Sequence, residues 1–511
     1  MVFDPLNPAT LPELDESPES HRLGARQILV FAVLWCREEP WRLGETLLAP
    51  TGEPGSVAWF GRGTSDSDGP PKSDLFQQRP GLSLPSSALS VASISRYQLR
   101  IEAVDDEHVL LRNEGRASLF HNGTAVNEAR CGHGDLVQIG KQLLLGCFRR
   151  WWPGRPSVRY PDFAFGGADA HGIVGESADT WQLRYRIAFV ASRFTPVLVH
   201  GPRGTGKELV GRAIHALSLR RDRALVSTSA ATLSAALVDA ELFGSRVRSG
   251  TTGLVAAAHG STLFVDDFQA LPVHTQARLL QATEKGGTEA PERDGQTSAD
   301  FRLIAATSAE PAALDPGVAG RFGFAVKVTG LNTRREDVPL LMRHLLQQDA
   351  KRGDTVALQC FRGEDPRNEP ELPLDLVERL VQWNYTTNVR ELRAELWRHL
   401  AAERLGFGDA HSVDTAPSRE NSWIPSRTSA SMTAAPSGEP SSSAPEPSEF
   451  DSNPLTRERL QEALDRNNGV LEATWRGLGL KNRFALLRLI KRFDLEVRKR
   501  PAQSRARPPK G

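Results

Sequence analysis

The chain has 511 residues, 39% hydrophobic and 24% charged, with a formal net charge of +1. At roughly 100–200 residues per domain this length implies two to four domains with real cores, and the balanced charge excludes a polybasic coat protein or an acidic solvating tail. Residues 454–511 nevertheless hold 15 Lys and Arg against 6 Asp and Glu, a local +9 on a body of −8, which points to a nucleic-acid-binding end. Cys36, Cys131, Cys147 and Cys360 form no C-x-x-C pair, so neither a disulfide framework nor a zinc ribbon is expected, and a reducing cytoplasm is the expected location. No apolar run approaches the ~20 residues that span a bilayer, and the longest, Ile28–Trp35, follows an acidic leader unlike a signal peptide, so no membrane partner is expected.

Residues 1–24 are rich in Pro, Asp and Glu without apolar periodicity and are expected to form a flexible leader. Across 25–150, short strand-like runs are broken by turn residues: Ile28–Trp35, Val57–Phe60, Tyr97–Glu102, His108–Arg112, Leu136–Ile139 and Leu143–Phe148. This spacing predicts an all-β sandwich. Across 168–408, apolar strands such as Val197–Val199, Leu263–Val265 and Leu303–Ala306 alternate with amphipathic helices, which predicts a parallel α/β sheet, and 374–406 reads as a helical lid. Residues 412–453 contain 12 Ser and 6 Pro, too few large apolar side chains to offset chain entropy, so 409–453 is expected to be a disordered linker. Helical patterns return over 455–499.

The sharpest chemical signal is Gly201-Pro202-Arg203-Gly204-Thr205-Gly206-Lys207-Glu208, between the strand Val197–Val199 and a helix expected over Glu208–Leu217. A glycine loop there aims backbone N–H groups and a helix dipole at phosphate oxygens, and Lys207 adds a point charge. The general motif has Ser or Thr for Mg2+ where this chain has Glu208. Further on, Thr262-Leu-Phe-Val-Asp266-Asp267 ends an apolar strand in two carboxylates and resembles a Walker B element: the first acid orients magnesium, the second polarises the attacking water. The bland alternative is a strand ending in solvated acids.

Gly204-Thr-Gly-Lys-Glu-Leu-Val-Gly-Arg-Ala-Ile-His215 resembles the AAA+ module of sigma-54-dependent transcriptional activators, and Glu241-Leu-Phe-Gly244, Arg302-Leu-Ile-Ala-Ala-Thr307, Arg335-Glu-Asp-Val338 and Asn388-Val-Arg-Glu-Leu392 match in order. The resemblance implies ATP and Mg2+ as cofactors, homo-oligomers from dimer to hexameric ring, and remodelling of sigma-54 RNA polymerase. It makes Arg390 the sensor II arginine and Arg321 the arginine finger given in trans. Four departures accompany it. The family's Gly-Ala-Phe-Thr-Gly-Ala loop is missing, because only eight residues separate Gly244 from Gly253. Asp267 replaces a Glu, Ser308 replaces the sensor I Asn, and the usual arginine pair is reduced to Arg321. Retracting a carboxylate by about 1 Å can cost about 10²-fold, so hydrolysis is expected to be slow. His215 reads as a core residue, and Trp151 and Trp152 as packing or a hinge.

Phe60-Gly-Arg62-Gly, Ile94-Ser95-Arg96-Tyr-Gln98, His121-Asn122-Gly123 and Gly134-Asp135-Leu-Val-Gln-Ile-Gly140 resemble a forkhead-associated (FHA) domain. An arginine and a serine hydroxyl suit a dianionic phosphate, and a turn asparagine holds the peptide backbone. The resemblance assigns phosphothreonine binding to Arg62, Ser95, Arg96 and Asn122, and makes a phosphothreonine-containing protein or a Ser/Thr kinase the partner. Gln98 stands where the family has a structural His. The alternative is a sandwich with no phosphopeptide affinity.

Leu455–Asp465, Val470–Leu478 and Asn482–Phe493 read as three short helices with Gly479 at the tight turn. They resemble a Fis-type helix-turn-helix over 454–500, with Lys481, Asn482, Arg483 and Arg488 as DNA contacts and 501–511 a basic tail adding salt-sensitive affinity. The expected whole is multidomain: an N-terminal all-β FHA-like sandwich, a central α/β AAA+ P-loop domain with helical lid, and a C-terminal all-α helix-turn-helix. The function implied is a phospho-responsive, ATP-binding, DNA-binding transcriptional regulator. Either its ring hydrolyses ATP and reaches sigma-54 by a substitute contact, or the module only senses nucleotide; the shortened loop favours the second. The alternative is a phosphothreonine-dependent scaffold with vestigial ATPase and DNA-binding functions.

Overall fold

The computed structural model describes residues 27–50, 54–65, 69–151, 158–234, 237–244, 253–285 and 300–405. The expected leader, linker, helix-turn-helix and basic tail, with Lys481, Asn482, Arg483 and Arg488, lie outside the described residues, as does Trp152.

The N-terminal strands are β1 Gln27–Cys36, β2 Thr46–Leu48, β3 Val57–Phe60, β4 Leu75–Arg79, β5 Leu82–Pro85, β6 Leu99–Ala103, β7 His108–Asn113, β8 Leu119–His121, β9 Thr124–Val126, β10 Glu128–Gly132, β11 Leu136–Ile139 and β12 Leu143–Trp151. They form two antiparallel sheets, ordered β5-β4-β2-β1-β12-β11-β8-β9 and β10-β7-β6-β3, as the expected sandwich requires. All six predicted runs are strands; the six the sequence did not announce are five residues or shorter, too brief for a period-2 signal. Asn122 (φ 49°) and Gly123 (φ 77°) form the two-residue β8–β9 turn, for which Asn-Gly is the favoured dipeptide.

The alternation within β1 explains why its sequence is apolar throughout. Leu29, Phe31 and Val33 enter the sandwich interior with Phe60, Ile101 and Val137. Ile28, Val30, Ala32 and Leu34 point the other way, into a second core shared with the helical lid. A strand buried on both faces cannot alternate with polar residues.

The central domain contains α1 Ala178–Ala191, β13 Val197–His200, α2 Lys207–Ala216, β14 Val226–Ser229, α3 Val238–Phe243, β15 Thr262–Asp266, α4 Val273–Lys285, β16 Arg302–Thr307 and β17 Phe324–Lys327. The lid follows as α5 Val338–Lys351, α6 Leu374–Gln382 and α7 Val389–Leu405. The sheet is parallel throughout, ordered β14-β15-β16-β13-β17, and its inner strands β13, β15 and β16 are buried nearly throughout, whereas edge strand β14 is Val-Ser-Thr-Ser. The chain leaves β13 between β16 and β17, the point where the strand order reverses; ligands of open α/β sheets bind at the carboxyl ends of strands there.

The sandwich and the lid share one hydrophobic cluster. Ile28, Val30, Leu34, Leu136, Leu144 and Phe148 pack with Leu340, Met342, Leu346, Leu376, Leu380, Leu392 and Leu396, all buried. At about 1.5–3 kcal/mol per buried aliphatic side chain, six residues from the sandwich side alone contribute on the order of 10 kcal/mol. Polar ties cross the same seam. Arg150 Nη2 of β12 meets Glu336 Oε2 at 2.6 Å, both side chains under 8% exposed. Trp35 Nε1 donates to the Leu372 carbonyl at 2.8 Å. Arg79 of β4 pairs with Glu176 at 2.7 Å and stacks over Phe163 and Trp181. Domains within a chain move freely by default unless the interface is large and apolar, and this one has an apolar centre shared by both sides.

Candidate nucleotide site

The loop from Gly201 to Gly206 follows β13 and opens α2, so the backbone N–H groups at the start of α2 are presented at the reversal point of the sheet. Two glycines are obligatory for steric reasons. Gly204 has φ 74°, and a Cβ there would sit 2.0 Å from the Thr387 carbonyl oxygen; at Gly201 (φ 151°) it would sit 2.2 Å from that of Val328. Gly204→Ala is therefore expected to push the loop and the start of α7 apart, with nucleotide affinity measured by fluorescence titration falling at least tenfold.

The lid grips the loop directly. Asn388 (φ 54°) donates from Nδ2 to the Arg203 carbonyl at 2.9 Å and accepts from Leu331 N–H at 2.8 Å. The Val389 N–H donates to the Gly204 carbonyl at 3.1 Å. These bonds set the exposed Arg390 over the loop, its Cβ 3.3 Å from where a Gly204 side chain would begin. Thr205 Oγ1 donates to the Pro202 carbonyl at 2.9 Å, and Lys207 Nζ donates to the carbonyls of Gly201 at 2.9 Å and Pro202 at 3.0 Å. Burial pulls the Lys207 ammonium below its ordinary pKa, with Asp266 and Asp267 opposing.

Asp266 ends β15 facing Lys207, its carboxyl pushed up by burial and by Asp267 while Lys207 pulls it down. One Asp266 oxygen accepts from the Asp267 N–H at 2.9 Å, and Asp267 sits in the left-handed region at φ 50°, ψ 39°. The structure thus gathers Gly201 to Lys207, Asp266, Asp267 and Arg390 at one place. Glu208 is exposed at the edge, paired with Arg212 at 2.6 Å, and its charge contributes to raising Asp266. Arg321 stands apart from its own loop, half-exposed and bonded to Glu284 at 3.1 Å. His215 is a core residue as expected, tied to Thr262 Oγ1 at 3.0 Å and the Arg223 carbonyl at 2.9 Å.

In the sandwich, Arg62, Ser95 and Arg96 come together. The Arg62 N–H donates to the Ser95 carbonyl at 3.0 Å, and a Cβ on Gly61 would strike the Arg96 carbonyl at 2.3 Å. Gln98, fully buried, organises this loop: its Oε1 accepts from Ser95 N–H at 3.0 Å and its Nε2 donates to Asn113 and the Ala117 carbonyl. Asn122 stands at the β8–β9 turn. Ser95 Oγ accepts from the Arg116 N–H, just before β8, whereas Asn122 lies beyond the far end of β8. There its carboxamide is engaged internally, donating to Asp135 at 2.9 Å and accepting from Leu136 N–H at 2.8 Å.

Beside it, hydrogen bonds to Asp135 and Cys131 raise His121 to about 9. A pKa raised above the unfolded value of ~6.5 stabilises the fold fully below that pH and loses the contribution as pH rises through about 9. His121→Gln is expected to flatten that limb of a melting-temperature profile against pH.

Sequence reasoning missed Glu336 and Asp337 as structural centres. Asp337 accepts from the N–H groups of Glu176 and Ser177 and from the Ser177 and Thr180 hydroxyls, fixing the start of α1. Their family motif was visible, but no local periodicity shows which distant element a buried acid will meet.

A glycine loop at the reversal point of a five-stranded parallel sheet, with a paired acid and a clamping lid, defines a P-loop domain of AAA+ type. Its residues 173–315 match the family model of the Sigma-54 interaction domain. The chain is 37% identical over 240 residues to the transcriptional regulatory protein ZraR of Escherichia coli K12, covering 44% of this chain and 51% of that protein. It is 33% identical over 260 residues to the C4-dicarboxylate transport transcriptional regulatory protein DctD of Pseudomonas aeruginosa, covering 48% and 52%. The chain thus spans about half the length of the curated relatives it matches. Among solved structures, NtrX from Brucella abortus in complex with ATP aligns with a TM-score of 0.40 and 25% identity, over 63% of this chain and 69% of that one. Among the described residues no helix is long and apolar enough to cross a membrane.

Proposed function

We propose that this chain is an ATP-binding, phospho-signal-responsive transcriptional regulator of the sigma-54 activator type, binding DNA through its basic C-terminal block. The observation that carries the proposal is the clamp of Asn388 and Val389 on the glycine loop, which ties the lid to the element that would hold the phosphates. The side chains suit a nucleoside triphosphate with Mg2+. Asp266 and Glu208 offer hard oxygens in mutual electrostatic reach, and Lys207 is held by two loop carbonyls that a phosphate would outcompete. Bound Mg2+ would neutralise charge on the β- and γ-phosphate oxygens. Lys207 and the loop N–H groups would bind the phosphates, Arg390 would report the nucleotide to the lid, and Asp267 would orient the attacking water. Arg321, free of its own loop and half-exposed, suits a role in a neighbouring subunit.

Weakened contact with sigma-54 is supported by the base of the shortened loop. A Cβ on Gly253 would lie 2.3 Å from the Gly244 nitrogen, so the chain leaves and re-enters at one point and has eight residues in which to reach a partner. Arg62, Ser95, Arg96 and Asn122 form the phosphothreonine-binding part of the proposal, and the gathering of the first three around the Gln98 loop supports it. The direct test of nucleotide binding is titration with a fluorescent ATP analogue. Lys207→Ala is expected to weaken binding by about 1.5–3 kcal/mol, ten- to hundredfold, as loss of a charged hydrogen bond predicts; unchanged affinity refutes the site.

A further inference from the structure

Directly after Asp267 the chain makes a one-turn 3-10 segment, Phe268–Ala270. Gln269 in that turn donates from Nε2 to Asp267 Oδ1 at 3.2 Å and to Ser308 Oγ at 3.4 Å. One carboxamide therefore ties the end of β15 to the end of β16, linking the residue proposed to orient water to the residue at the sensor position. Its other atom is the anomaly. Gln269 Oε1 is buried and has no hydrogen-bond partner. Asp267 adds a second unfavourable feature at the same spot, a non-glycine residue at φ 50°. A buried acceptor without a partner and a left-handed aspartate cost stability, and a fold keeps both together where function requires the geometry.

Resting on the hydrolysis reading above, we propose that Gln269 is a positioning residue for ATP hydrolysis. Its Nε2 takes up one oxygen of Asp267 and so turns the other toward the attacking water, bracing a carboxylate one methylene shorter than the family's.

The test is Gln269→Met, which keeps the volume and removes both polar atoms, with Gln269→Ala beside it, in the full-length chain. Both are expected to lower kcat for ATP about ten- to hundredfold, the scale of a misplaced reactive group, while KM and fluorescent-nucleotide affinity stay within about twofold. Gln269→Met is also expected to raise the melting temperature, since it removes the orphaned oxygen, an outcome opposite to that of a residue kept for packing. Normal kcat in either variant, or kcat and affinity falling together with stability, overturns the assignment alone. A wild-type chain that binds nucleotide without turnover removes the hydrolysis reading and the assignment with it.

Discussion

Asp266→Ala is expected to abolish ATP turnover, with kcat falling at least about 10³-fold in a steady-state phosphate-release assay, while nucleotide remains bound. The separation follows from the geometry. The phosphate cradle is backbone and Lys207, and none of its hydrogen bonds runs through Asp266. Asp266 is instead the buried acid opposite Lys207, raised in pKa by burial, and its oxygen fixes the Asp267 N–H. Removing it takes away the carboxylate proposed to hold Mg2+ and the anchor of the neighbouring acid together. A charge-stabilising group in a water-poor site is worth about 10²–10³ in rate on its own, so losing two functions at once exceeds that. Lys207 would lose its main opposing charge, and its ammonium pKa would fall further. Retained turnover in Asp266→Ala would place the reactive acid elsewhere.

The second large effect concerns the seam between sandwich and lid. Arg150→Ala leaves Glu336 buried without its guanidinium. Removing one partner of a buried pair costs about 3–5 kcal/mol, because the remaining charge has neither water nor a counter-ion. Glu336 already has its carboxyl pushed up by burial, with Arg150 opposing. Without Arg150 it rises further, so the penalty is greatest at neutral and higher pH and shrinks as falling pH protonates it. Differential scanning calorimetry should show the Arg150→Ala loss, and the double variant Arg150→Met with Glu336→Leu should recover most of it, since an apolar pair of similar volume suits that seam. Loss of the same size in the double variant would mean that packing, not charge, governs the contact.

Docking at this strength bears on how a phospho-signal could act. The face of β1, β11 and β12 that meets α5, α6 and α7 belongs to the same core as the lid that clamps the glycine loop. A sandwich so placed moves with the lid.

The sequence revealed most where a single element carries the information. The glycine loop, the apolar strand ending in Asp266 and Asp267, and the Asn388-Val-Arg390 run occur at fixed offsets from their own helices and strands, and the fold assembles them as expected. It revealed less where partners lie far apart. Ile28–Trp35 read as a core strand, yet nothing in it distinguishes one buried face from two; the second face became visible only with the lid in place. Arg150 and Glu336 are 186 residues apart, and no local pattern shows that burial joins them. Asn122 takes its phosphopeptide role from the FHA resemblance, and the hairpin turn it closes could not be read from that match. Gln269 matched no motif at all, and its unpartnered oxygen exists only in three dimensions.

The proposed nucleotide switch, in the reading that includes turnover, combines one subunit's loop with a neighbour's Arg321. It is tested most directly by steady-state ATP hydrolysis across a wide protein concentration range, with Arg321→Ala and Asp266→Ala run beside the wild type. Specific activity that rises cooperatively with concentration, and disappears in both variants, is the predicted result. Specific activity independent of concentration and unaffected by Arg321→Ala would contradict it.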